Sequence, residues 1–264
     1  MSGPGDVRAL LVDLDGVLYV DDEPIPGAVD AVAACREAGL GVRFVTNTTQ
    51  RSHDQTLAKL QRIGVPVASD ELITPAVLAV EHCRVRGHER VALFMADAVK
   101  ADFGGLSEAA DDPDAVVLGD LGERFDYPTL NRAFRLVIGG AELIALQRNR
   151  YWLRSDGLAL DVGPFVAALE YAANVEAVVV GKPAPAFFAL ALSQLGARPG
   201  HAAMVGDDIE SDIGGALRAG LRGVLVRTGK FREETLAAAD PQPSDVIDSI
   251  ADLPALLGLG AGTR

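Results

Sequence analysis

The sequence predicts an α/β protein: a doubly wound parallel sheet, Rossmann-like in its alternation, with a second α/β domain inserted into it. Three observations carry that prediction. Short apolar, β-rich runs alternate with helix-length segments at the start of the chain, and the same alternation returns after residue 177. Continuously apolar strands of this kind are buried on both faces, as in parallel sheets covered by helices. The stretch between the two halves has its own strands and helices, enough to bury a separate core.

Taken in order, Ala9-Leu10-Leu11-Val12 reads as a buried strand ending at Asp13. Residues 27–38 read as a helix closed by Gly39, and Val42 to Val45 as the next strand, ending at Thr46. Ser52 to Ile63 is a second helix, with Ser52 as its N-cap and Gly64 after its end. In the middle, Asp111 to Asp114 is a turn cluster and Ala115 to Leu118 a strand. Tyr127 to Val137 is a helix, Leu143 to Leu146 a strand and Pro164 to Ala173 a helix, while Tyr151 and Trp152 read as packing residues. Late in the chain Ala177 to Val180 is a strand, Pro185 to Leu195 a helix and Ala202 to Val205 a strand. Ile209 to Ala219 is a helix before Gly220, Leu221 to Val226 a strand, and residues 258–264 a frayed tail. The expected division is 1–77 with 177–264 as one domain and 78–176 as the insertion. No short-period repeat is visible.

The 264 residues carry a formal net charge of −13, with 49% hydrophobic and 23% charged residues. That composition gives a large core and argues against wholesale disorder. So acidic a chain is a poor nucleic-acid binder and is repelled by anionic membrane surfaces. No apolar run is long enough to span a bilayer, and residues 1–6 lack a signal-peptide pattern, so a soluble cytoplasmic protein is expected. Cys35 and Cys83 have no CxxC partner and read as inert thiols. His53, His82, His88 and His201 show no metal-ligand spacing.

In open α/β sheets the functional crevice lies beyond the carboxyl ends of the strands. Four predicted strand ends carry unusual polar residues: Asp13-Leu14-Asp15-Gly16, Thr46-Asn47-Thr48-Thr49, Gly181-Lys182-Pro183 and Gly206-Asp207-Asp208. Asp13 and Asp15 would repel each other in a low-dielectric site, and Asp207-Asp208 repeats the conflict. Oxygen-rich clusters of this kind suit Mg²⁺, which keeps several waters and accepts phosphate oxygens. Thr46 and Asn47 can hold phosphoryl oxygens with hydroxyl and backbone N–H groups. Lys182 is placed to be a compact positive charge, with Pro183 in the first turn of a helix. Asp207 is expected to ligate the metal. Asp212, one turn beyond Asp208, is expected to orient metal-bound water, and Gly214 and Gly215 to allow close helix packing. Taken singly, each segment also has a structural explanation as a turn, cap or loop; their coincidence favours chemistry.

These four segments, in this order, resemble the four motifs of the haloacid dehalogenase superfamily, and the resemblance spans nearly the whole chain. The large insertion between the second and third motifs resembles the C2 cap of its p-nitrophenylphosphatase, or NagD-like, subfamily. Four stretches resemble the branch of phospholysine phosphohistidine inorganic pyrophosphate phosphatases and haloacid dehalogenase-like hydrolase domain-containing proteins: residues 42–47, 156–160, 180–183 and 227–230. The resemblance implies a Mg²⁺-dependent phosphatase acting on a small phosphorylated substrate. Asp13 would attack phosphorus and become an aspartyl phosphate. Asp15 would serve as general acid and then base, its backbone carbonyl touching the metal. Thr46 and Asn47 would bind the phosphoryl group, with Lys182 balancing charge. Asp207 would complete the ligands, with Asp208 and Asp212 in support. Asp15 is not kept throughout that branch, and its presence here favours efficient phosphatase chemistry.

The resemblance also allows a homodimer through the cap, which would close over the cleft and choose the substrate. Residues 148–150 and 161–164 are the candidates for contacting a leaving group. Two other readings use the same acids: a phosphoryl-accepting signalling domain, whose turnover stops near one, and a catalytically silent binding protein. The length, the insertion and the complete acidic set all weigh against them.

Overall fold

The computed structural model describes residues 3–154 and 157–259. Asp156, the side chain of Trp152 and the tail from residue 260 lie outside the described residues. The chain forms two compact units. The first takes the residues up to Thr46, Leu57–Ile73 and those from Lys182 onward; the second takes Asn47–Thr56 and Thr74–Gly181.

The first unit is built on six parallel strands. Their order is Asp245–Ile247, Arg222–Val226, Ala202–Gly206, Ala9–Asp13, Gly41–Val45 and Leu72–Ile73. Ala9–Asp13 and Ala202–Gly206 are buried at every position, as expected of central strands covered on both faces. In register, Val12 lies beside Val205 and Asp13 beside Val45. Asp13 and Asp207 therefore emerge together where Ala9–Asp13 and Ala202–Gly206 end. One loop leads from there toward Gly41–Val45 and the other toward Arg222–Val226, which makes this the switch point of the sheet. Beneath it, Leu10, Val12, Phe44, Val205 and Val224 join the helix residues Val32 and Cys35 in one core.

The helix His53–Arg62 begins with a reciprocal capping box. Gln55 N–H donates to Ser52 Oγ and Ser52 N–H to Gln55 Oε1, both at 3.2 Å. Helix Pro185–Leu195 runs where the sequence predicts it, with Pro185 rather than Pro183 in its first turn. Pro183 instead follows a cis peptide bond and precedes the Ala184 cap. After Ala202–Gly206 the chain winds as a π-helix over Ile209–Gly214 before becoming α-helical at Gly215–Arg218. A Cβ on Gly215 would meet the Phe188 ring at 2.7 Å and Pro183 at 2.9 Å, so close packing does depend on it. Gly214 faces the side chain of Arg218 from its own helix instead.

The second unit has its own parallel sheet, ordered Val178–Val179, Glu142–Ala145, Ala115–Leu118, Arg90–Phe94 and Ser107–Glu108. The sequence-based division left residues 47–56, 74–77 and 177–181 with the other half. They group here because Val178–Val179 pairs with Glu142–Ala145, and because Thr49 Oγ1 accepts from Asp120 N–H at 3.2 Å. Val116, Leu143 and Val166 are buried at the centre of this unit, and Phe125 stacks on Phe165 at 3.9 Å. Helix Tyr127–Ile138 is capped by Asp126, which accepts from Thr129 N–H at 2.9 Å. Tyr151 does not pack as expected. It is 58% exposed on the hairpin of Tyr151–Arg154 and Gly157–Leu160, beside the equally open Leu158 and Leu160.

Candidate active site

Asp13, Lys182, Asp207 and Asp212 come together in the first unit, and all four are at most 7% exposed. Lys182 Nζ stands 2.5 Å from Asp13 Oδ1 and 2.7 Å from Asp212 Oδ1. Asp13, Asp207 and Asp212 each offer a carboxylate oxygen, and the three oxygens lie within 4.8 Å of one another. Asp212, expected only to support the ligands, is thus as central as Asp207. The π-helical turn brings it there: both Asp212 N–H and Ile213 N–H bond back to the Asp208 carbonyl, at 3.1 and 3.2 Å.

Burial raises the Asp13 carboxyl above its ordinary range, and Lys182 only partly offsets this. Burial and the charges of Asp13 and Asp212 push Asp207 up to about 8, against the pull of Lys230. Burial pushes Asp212 up to about 7, with Lys182 opposing and Asp13 adding to the rise. Burial works against the Lys182 ammonium, but Asp13 and Asp212 outweigh it and raise its pKa. Asp208 behaves differently. It too is desolvated, yet Lys230 and the N–H groups of Ser211 and Glu210 hold it below the usual carboxylate range.

Lys230 is the residue that the strand-end reading missed. Its N–H donates to Asp207 Oδ2 at 2.7 Å, and its ammonium sits 3.3 Å from Asp208. The signal was there, because Arg227-Thr228-Gly229-Lys230 follows the end of another parallel strand, Arg222–Val226. Gly16 and Gly229 complete this corner. Both have positive φ, +80° and +62°, and a Cβ on either would overlap the Asp207 carboxylate. The Thr228 hydroxyl donates to the Gly16 carbonyl and ties the two loops together.

The described site holds two lysines against Asp13, Asp207, Asp208 and Asp212. With all four carboxylates ionised two negative charges would be left over, and the raised pKa values of Asp13, Asp207 and Asp212 express that cost, which a divalent cation would relieve. An all-oxygen donor set fits Mg²⁺.

Asp15 is exposed, in contrast to its neighbours, and accepts from the Tyr19 hydroxyl at 3.2 Å. Thr46 is buried at the end of Gly41–Val45 and its N–H bonds to the Ile73 carbonyl at 3.2 Å. Asn47 belongs to the second unit, where its Oδ1 lies 2.8 Å from the place a Cβ would take on Gly181. The segments suggested for leaving-group contact do structural work in that unit. Asp161 accepts from Gln147 Nε2 at 2.5 Å and caps Val162 N–H at 2.7 Å, while Arg148 pairs with Glu170 at 2.6 Å. Cys35 and Cys83 are buried free thiols whose pKa burial raises to about 11, in keeping with inert packing residues. His82 and His88 converge on Glu142 at 3.0 and 2.7 Å. No helix among the described residues is long and apolar enough to cross a membrane.

Known proteins share both the sequence and the fold. A family model described as haloacid dehalogenase-like hydrolase matches residues 10–106, and a HAD-hydrolase-like model matches residues 179–253. Human haloacid dehalogenase-like hydrolase domain-containing protein 2 is 44% identical over 237 residues, 90% of each chain. Phospholysine phosphohistidine inorganic pyrophosphate phosphatase of Xenopus laevis is 44% identical over 233 residues, covering 86% of this chain and 85% of that one. The 4-nitrophenylphosphatase of Thermotoga maritima superposes with a TM-score of 0.89 at 27% identity, covering 96% and 98% of the two chains. A glycerol phosphate phosphatase of Mycobacterium tuberculosis, solved in complex with magnesium, gives 0.82 at 30% identity over 96% and 78%. With its acids gathered at the switch point and relatives matched over nine-tenths of its length, the chain belongs to the haloacid dehalogenase-like hydrolases and is an enzyme of that family.

Proposed function

We propose that the chain is a Mg²⁺-dependent phosphatase that acts on a small phosphorylated substrate, with Asp13 as nucleophile. The observation that carries the reading is the meeting of Asp13, Asp207 and Asp212 around Lys182 at the end of the central strands. The relatives named for phosphatase activity support it, as does the magnesium complex of one structural neighbour.

An Asp13 carboxylate oxygen forms a bond to phosphorus as the bond to the leaving oxygen breaks. Asp15 gives its proton to that leaving oxygen. Its exposure and its tether to Tyr19 suit a group that must meet both substrate and water. Water then attacks the aspartyl phosphate, Asp15 takes the water's proton, and the bond from Asp13 to phosphorus breaks. Lys182 holds Asp13 in position and balances charge on the transferred group. Thr46 and Asn47 hold phosphoryl oxygens. Asp13, Asp207 and the Asp15 carbonyl would hold the ion, with Asp208 and Asp212 supporting it. Bound there, Mg²⁺ would neutralise phosphoryl oxygens and orient them for in-line attack.

Phosphate release measured over a panel of small phosphorylated metabolites tests this reading. Many turnovers per chain with Mg²⁺, and none with excess chelator, are expected. A single turnover, or undiminished release under chelation, would contradict it. The exposed apolar face of Tyr151, Leu158 and Leu160 supports a homodimer formed through the second unit.

A further inference from the structure

The second unit repeats, in its own sheet, the topology that creates the site in the first. After Arg90–Phe94 the chain turns toward the edge strand Ser107–Glu108, whereas after Ala115–Leu118 it turns the other way, toward Glu142–Ala145. The two loops diverge, and a crevice opens beyond the strand ends between them. An open depression of about 320 Å³ lies there. That is at the lower end of the range of small-molecule sites, roughly 300–1,000 Å³.

Its lining is unlike the rest of this acidic chain. Phe94, Met95 and Leu121 give an apolar wall, and Lys100, Arg124 and Arg132 bring three cations to it. Among the described lining residues the one carboxylate is Asp97, 3.3 Å from Arg124. Lys100 is steadied by Glu108 at 2.8 Å. Arg132 lies over the Phe94 ring at 5.5 Å and donates to the Ala110 carbonyl at 3.3 Å, contacts that orient the guanidinium and leave its charge in place. The wall is preformed. Met95 is fully buried, and its Cβ would lie 2.9 Å from a Cβ on Gly119, so the two strand ends are locked together.

We propose that this crevice binds a small organic anion, carrying a phosphate or carboxylate group on a flat apolar body. The anionic group would sit among Lys100, Arg124 and Arg132. The apolar body would lie against Phe94, Met95 and Leu121. Guanidinium groups favour this chemistry because their planar donors match the oxygens of carboxylate and phosphate. The crevice shares no residue with the carboxylate cluster around Asp13.

The test uses the full chain, labelled with ¹⁵N, in chelator so that chemistry at Asp13 is silent. Phenylphosphonate is the probe, because its carbon–phosphorus bond resists hydrolysis. Saturable shifts are expected at the amides of Met95, Asp97, Leu121 and Thr129. Replacing both arginines (Arg124→Ser with Arg132→Ser) should weaken binding at least tenfold while distant amides keep their positions. Lys100→Ser alone should weaken it severalfold, which keeps the test alive if the double variant does not fold. No saturable shift at these amides, shifts confined to the neighbourhood of Asp13 and Lys182, or equal affinity in the folded variants would overturn the proposal.

Discussion

Lys182 is the residue on which the charge balance of the first unit turns. It is 2% exposed and bonded to two carboxylates. Removing one partner of a buried pair leaves the other charge uncompensated, which costs about 3–5 kcal/mol. Lys182→Met is expected to lower stability on that order in denaturant melts and to abolish turnover. A variant of unchanged stability would mean that Asp13 and Asp212 are balanced by something else. Gly229 tests the other side of the site. Gly229→Ala strains a backbone at φ +62° and drives a methyl group into the Asp207 carboxylate. The expected outcome is a loss of Mg²⁺ affinity, read by calorimetric titration, and wild-type affinity would show that this corner is not a metal cradle. At this scale the sequence was informative about Asp13, Lys182 and Asp207, because each follows an apolar strand, and about Asp212 through its place one turn beyond Asp208. It was less direct about Lys230, which also follows a strand but whose bond to Asp207 is made by a backbone N–H that no side-chain pattern reports.

Among the elements, the helix His53–Arg62 shows local sequence acting directly. Ser52 and Gln55 satisfy each other's backbone N–H groups, so Ser52→Ala should cost about 1 kcal/mol in thermal or chemical melts. No measurable change would show the box to be redundant. The strands Ala9–Asp13 and Ala115–Leu118 and the helix Pro185–Leu195 were legible because each is a clean run between turn signals. The bounds of helix Pro75–Arg86 were not legible. Its buried residues, from Pro75 and Ala76 through Leu78, Ala79 and Val80 to Cys83, run round much of its circumference, so it has no single apolar stripe. The strand Leu72–Ile73 is too short to show any period. Val178–Val179 was seen as a strand, but its sheet depends on which partner it meets, and pairing is not written in a two-residue run. Glu142, at the start of its strand, is desolvated, yet His88, His82 and Arg86 hold it below its ordinary 4.5. A carboxylate with a lowered folded-state pKa adds stability above its unfolded pKa and loses it as pH falls through the folded value. Glu142→Gln should therefore flatten the decline of stability below pH 4.5, and an unchanged acid profile would remove Glu142 from that account.

For the whole molecule, the doubly wound architecture was readable from alternation alone, since parallel strands covered by helices leave so plain a pattern. The limits of the two units were not, because they follow from hydrogen bonds such as that between Asp120 N–H and Thr49 rather than from composition. Both units place polar groups beyond the switch point of a parallel sheet, carboxylates in one and cations in the other. On the proposed reading, the acidic site would also link metal to folding. Mg²⁺ that binds the native state alone would stabilise it by mass action, so melting should rise with Mg²⁺ in the wild type and much less in Asp207→Asn. The most direct test of the central claim compares Mg²⁺-dependent phosphate release by the wild type and by Asp13→Asn, on the best substrate of a metabolite panel. The account predicts that the variant melts as a folded protein and loses turnover by a factor of about 10³ or more, the scale expected when a nucleophile is removed. A folded Asp13→Asn protein that releases phosphate at the wild-type rate would contradict it.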